Sequence, residues 1–89
     1  MIPKELQLLR NSLDIVDKGI VEKIAERFLI TQKIWQVKKE NDLPKCDPDR
    51  EKEKLEEVSE LAKKYQLSPK IAGKIFEKII DETKNSYLD

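Results

Sequence analysis

Between Pro3 and Asn41 the chain offers almost nothing that would stop a helix. The stretch holds one glycine, Gly19, and no proline after its start; proline is the residue that helix interiors tolerate least. Leu6, Leu9, Leu13, Val16, Ile20, Ile24 and Ile34 follow one another in steps of three and four or their sums, the period of one helical face. The pattern predicts a helix from about Pro3 to about Glu40. About 36 residues at about 1.5 Å each span roughly 54 Å, whereas a compact chain of this size has a radius of gyration of about 12 Å. Such a helix projects beyond any partner that the rest of the chain can supply. Its apolar stripe needs cover, and an identical chain lying antiparallel would provide it. The alternative is a break at Gly19 that folds the helix back, although Lys18-Gly19 has no proline or loop-forming neighbours to assist it.

Two places do look like breaks: Asn41-Asp42-Leu43-Pro44-Lys45-Cys46-Asp47-Pro48 and Gln66-Leu67-Ser68-Pro69. Each ends in a capping residue followed by proline at the first helical position, Asp47-Pro48 and Ser68-Pro69. A second helix is expected from about Pro48 to Tyr65, with Leu55, Val58, Ala62 and Tyr65 on one face. A third is expected from about Pro69 to Leu88, with Ala72, Phe76, Ile79, Ile80 and Tyr87 on or near one face. The expected fold is all-α, one domain over residues 1–89 with one long and two shorter helices, paired as an intertwined helical homodimer.

Composition removes several kinds of chemistry. The 18 Lys+Arg balance 18 Asp+Glu, so the basic excess of a nucleic-acid binder is missing. No apolar run approaches the length of a membrane span, and Met1-Ile2-Pro3-Lys4-Glu5 lacks the apolar stretch of a signal peptide. Cys46 is the one cysteine, so no disulfide forms within a chain, and a reducing cytoplasm is the simplest compartment. With no histidine, a zinc site or a Ser-His-Asp triad is out of reach. No metal is expected.

Some charged residues fall on faces that should be apolar. Beyond Ile24 the stripe of the first helix continues through Arg27, Thr31, Ile34 and Lys38, and Arg27 and Lys38 point nearly the same way as Leu9 and Ile20. Glu51 lies one turn before Leu55 on the inner face of the second helix. Thr83 follows Phe76 and Ile79 in the third, with Tyr87 one turn later, and Arg10 sits at the edge of the first helix's stripe. Buried charges are normally paired, so Arg27, Lys38 and Glu51 could form a salt-bridge cluster that fixes register. The charges of the set do not cancel, however: Arg10, Arg27 and Lys38 are cations and Glu51 is the one anion. A compact dicarboxylate would restore neutrality.

These residues also carry a resemblance. Leu9-Arg10 with Leu13 and Asp17, Ala25-Glu26-Arg27, Lys38, Asp47-Pro48-Asp49-Arg50-Glu51 and Ile75-Phe76-Glu77-Lys78-Ile79-Ile80 form an ordered set that resembles the all-helical chorismate mutases, the AroQ class, over nearly the whole chain. The resemblance implies an isomerase that needs no cofactor and converts chorismate to prephenate in aromatic amino-acid biosynthesis. It implies that Arg27 binds one substrate carboxylate and that Arg10 reaches another from the partner subunit. Arg50 would assist at the pocket edge, Lys38 would donate to the ether oxygen of the breaking bond, Asp47 and Glu51 would hold the ring hydroxyl, and Thr83 would line the wall. Many members carry Gln where this chain has Tyr87. Either the phenol takes over that donor's part, or it points aside and the site relies on Lys38.

Two related activities on the same fold, isochorismate-pyruvate lyase and aminodeoxychorismate mutase, stand as alternatives. The lyase branch tends to lack an acid at the position of Glu51, which favours the mutase. A non-catalytic helical dimerisation module would explain the long helix but requires no inward Arg27, Lys38 or Glu51. Trp35, beside the inner stripe, reads as packing and Cys46 as incidental. Glu53, Glu56, Glu60 and Lys63 read as a solvated face with helix-spaced pairs.

Overall fold

The computed structural model describes residues 1–87, and in them the only regular elements are three helices: α1 Lys4–Glu40, α2 Pro48–Lys64 and α3 Pro69–Ser86. The ends expected from the sequence lie within two residues of these, except that Leu88 is outside the described residues. α1 runs unbroken for 37 residues. Gly19 has an ordinary helical backbone, and a Cβ added to it would meet nothing within 4 Å, so nothing there folds the helix back.

Both predicted caps form. The Asp47 carboxylate accepts from the Arg50 backbone N–H at 3.1 Å, and Ser68 Oγ accepts from the Ile71 N–H at 3.3 Å. Each cap satisfies an N–H that the first turn would leave without a partner, and Pro48 and Pro69 follow at the start of their helices. The helix ends close without glycine. Asp42 (φ 53°) and Gln66 (φ 58°) adopt the left-handed conformation. The Leu43 N–H then reaches the Lys38 carbonyl, and the Leu67 N–H reaches the Ala62 carbonyl, both at 2.8 Å. This is the six-to-one closure of a Schellman motif.

The chain divides into two units within α1, Met1–Lys33 and Ile34–Asp89. The first is a single helical segment, and its apolar residues are largely in solvent: Leu9 is 61% exposed, Leu13 57% and Ile20 50%. In the second, α2 packs on α3 through Val58, Ala62 and Ala72, with Phe76 against them. Ala62 and Ala72 are small, which lets the two helices approach closely. Tyr65, expected on the inner face of α2, is instead 72% exposed, because it is the cap residue where the chain leaves the helix. Ile71 and Ile75, one turn apart on α3, are also exposed. No helix among the described residues is long and apolar enough to cross a membrane.

Candidate active site

The end of α1 is wrapped by the loop that follows it. The Lys38 carbonyl accepts from the Leu43 N–H, and its ammonium donates to the Lys45 carbonyl at 3.2 Å. Lys38 is half-buried, as its place on the inner stripe predicts. Its contact is with a neutral oxygen rather than a carboxylate.

α3 closes the same end. Thr83 is buried, 5% exposed, and its hydroxyl donates to the Ile79 carbonyl at 2.6 Å. Its inward placement agrees with the helical period. Tyr87 lies flat on Trp35, with ring centroids 5.3 Å apart and planes inclined by 18°. Trp35 is the buried residue of α1, so its reading as packing holds. Lys45 joins the stack: its ammonium lies 5.7 Å from the Trp35 ring centre and 5.9 Å from that of Tyr87, and it donates to the Tyr87 carbonyl at 3.3 Å. Cation–π attraction and a charged hydrogen bond thus tie the last turn of α3 to the loop before α2.

Glu51 is half-buried in the first turn of α2, but its partner is not one that the sequence suggested. Its carboxylate lies 3.0 Å from the ammonium of Lys84 on α3. The hydrogen-bonded Glu51 carboxylate holds Lys84 above the usual lysine range, against a smaller desolvation effect. The salt-bridge cluster expected from the sequence did not include this lysine as a partner of Glu51. Lys84 was missed because the residue's own position, just after an inward Thr83, does not say which helix it faces. That depends on the rotation of α2 against α3.

The other predicted site residues sit as follows. Asp47 is exposed at the N-cap of α2, with one oxygen engaged by the Arg50 N–H. Arg50 is exposed and pairs along its own helix with Glu53 at 2.9 Å and Glu57 at 3.7 Å. On the part of α1 that belongs to the first unit, Arg10 is exposed and Arg27 is half-buried. The structure joins Lys38, Thr83, Tyr87 and Glu51 to neighbours within the second unit. An open groove of about 500 Å³ on α2 is lined by Glu53, Glu56, Glu57, Glu60 and Leu61. Its four carboxylates would repel a dianion, so it is no candidate for a dicarboxylate site. The face reads as the solvated one expected, with pairs such as Lys63–Glu60 at 3.1 Å. Cys46 is exposed with a free thiol, and no group of residues that could hold a metal occurs among the described residues.

Comparison with known proteins bears on this arrangement. The family model for chorismate mutase type II matches residues 9–86. A chorismate mutase of Methanocaldococcus jannaschii is 30% identical over 81 residues, which are 91% of this chain and 82% of that protein. A bifunctional chorismate mutase/prephenate dehydratase of Buchnera aphidicola subsp. Acyrthosiphon pisum is 37% identical over 78 residues. The chain spans only 20% of that longer protein. Among solved structures, a conserved hypothetical protein from Pyrococcus furiosus superposes with a TM-score of 0.72 at 34% identity, covering 94% of this chain and 96% of that one.

Proposed function

The chain belongs to the chorismate mutase type II family, and from that premise we propose that it rearranges chorismate to prephenate in the cytoplasm, as a homodimer whose two sites each draw on both subunits. The reaction is a one-step pericyclic rearrangement: one C–O bond breaks as one C–C bond forms, with no proton transfer and no covalent enzyme intermediate. Two physical tasks remain for the protein. It must hold a flexible dicarboxylate in the folded, reactive shape, and it must stabilise the negative charge that grows on the ether oxygen.

The observation that carries the reading is Lys38: half-buried, its ammonium held by a neutral carbonyl and its charge uncancelled there. It is the compact donor that the ether oxygen requires. Arg27 and, from the partner, Arg10 take the two carboxylates, because a guanidinium grips a carboxylate in a fixed fork. Asp47 and Glu51 accept from the ring hydroxyl, Arg50 assists at the edge, and Thr83 forms part of the wall. Tyr87, lying on Trp35, closes that end of the site as a wall and leaves donation to the ether oxygen to Lys38.

Dimerisation is supported by the apolar residues that α1 leaves in solvent. Leu6, Leu9, Leu13, Val16 and Ile20 are all exposed at helical spacing. Together they form a contiguous apolar stripe of the kind that marks a protein interface. The test is product analysis with purified protein. Chorismate is consumed and prephenate appears without added metal or cofactor, whereas isochorismate yields no pyruvate and salicylate. Pyruvate release, or no loss of chorismate, overturns the reading.

A further inference from the structure

Lys84 forms its ion pair from one helix to another. Pairs such as Lys18–Glu22, Lys23–Glu26 and Lys78–Glu82 lie along single helices, with lysine side chains that are 75–80% exposed. Such pairs contribute little, because solvent screens them. The Lys84–Glu51 pair is different on both counts. It crosses from α3 to α2 at 3.0 Å, and its side chains are 33% and 29% exposed. Lys84 also follows directly on Thr83, whose buried side chain fixes the turn from which the lysine extends. A second acid of its own helix, Asp81, lies at 3.9 Å and does not draw the ammonium away from Glu51.

Glu51 does not need this cation in order to sit where it does. It is in the first turn of α2, where the helix dipole already favours a carboxylate. What the dipole does not fix is the rotamer. A glutamate side chain has three rotatable bonds, and an acceptor aimed at a single hydroxyl works only if its orientation is set before the ligand arrives. A lysine on the facing helix sets it, and leaves the remaining lone pairs of the carboxylate to accept from another donor.

We propose that Lys84 is a positioning residue of the active site, which orients the Glu51 carboxylate toward the ring hydroxyl of the substrate without touching the substrate itself. This rests on the role given to Glu51 above. The Glu51–hydroxyl contact exists in the bound ground state as well as in the transition state, so losing its orientation falls mainly on KM.

The experiment is a double-mutant cycle in kcat/KM for chorismate, with thermal melts run in parallel on the whole protein. Lys84→Met is expected to lower kcat/KM by about tenfold, mostly through KM, and Lys84→Arg to restore it to within about threefold. In a Glu51→Gln background, Lys84→Met is expected to add less than about twofold. A Lys84→Met protein that keeps its kcat/KM while its melting point falls overturns the proposal, because the pair is then a structural tie. Equal losses with and without Glu51 overturn it as well. If Lys84→Met does not fold, Lys84→Gln carries the same comparison. The outcomes separate from the underlying reading: full activity in Glu51→Gln removes the role of Glu51 and that of Lys84 with it, whereas an impaired Glu51→Gln beside an unimpaired Lys84→Met removes that of Lys84 alone.

Discussion

The ring of Tyr87 lies flat against that of Trp35, centroids 5.3 Å apart, and this contact holds the last turn of α3 to the end of α1. The stack uses the face of the ring, which a phenylalanine would present equally. Tyr87→Phe is therefore expected to keep kcat and KM within about threefold. Tyr87→Ala removes the stack, and aromatic pairs of this kind contribute about 0.5–1.5 kcal/mol beyond their buried area, so its urea midpoint should fall while Tyr87→Phe stays close to the parent. A large loss of kcat in Tyr87→Phe would make the phenol a donor to the substrate after all.

The turn between α2 and α3 carries strain that a single substitution relieves. Gln66 holds a left-handed backbone, φ 58°, at the end of α2, where glycine is the favoured residue because it has no Cβ to clash. Gln66→Gly is expected to stabilise the protein by about 0.5–1 kcal/mol, the relief of the left-handed backbone less the added freedom of glycine in the unfolded chain, read by urea unfolding at fixed protein concentration. No change or a loss would mean that the glutamine side chain makes up the cost elsewhere.

How much of this was legible in the sequence differs from residue to residue. The three helices were, because Asp47-Pro48 and Ser68-Pro69 are local signals whose geometry needs no tertiary context, and both caps form as read. Thr83 and Lys38 were also placed correctly, since the helical period alone turns them inward. The partner of Glu51 was not legible. Lys84 meets it through the packing of two helices, and no spacing within either helix encodes that rotation. The same holds for Tyr87 on Trp35, which are far apart in the chain. The closures at Asp42 and Gln66 escaped because the usual marker of a left-handed helix end, glycine, is absent at both.

The pairing of Lys84 with Glu51 sets a pH window. Glu51 holds the Lys84 pKa above its ordinary value of 10.5. A group whose folded pKa is raised contributes stability that is complete below the unfolded value and is lost as pH rises through the folded one. The difference in melting temperature between the parent and Lys84→Met should therefore be flat from about pH 7 to about pH 9 and shrink only above the lysine range. A difference that fades already near neutrality would contradict this assignment.

A site shared between subunits, as proposed above, predicts complementation. Arg10→Ala and Arg27→Ala should each be nearly inactive alone. Mixed after dissociation and reassociation, half of the dimers would pair the two variants and carry one intact site of two, so about a quarter of parental activity should return. No recovery would confine the site to one chain.

The ammonium of Lys38 donates to the Lys45 carbonyl at the end of α1, and in the proposed reaction it is the donor to the ether oxygen. The most direct measurement is the chorismate turnover number of Lys38→Ala, taken beside far-UV circular dichroism and a melt to establish that the protein is folded. Removing one donor to a developing oxyanion typically costs about 3 kcal/mol, so kcat should fall by at least about a hundredfold in a protein that remains helical. Near-parental turnover in folded Lys38→Ala would contradict the mechanism.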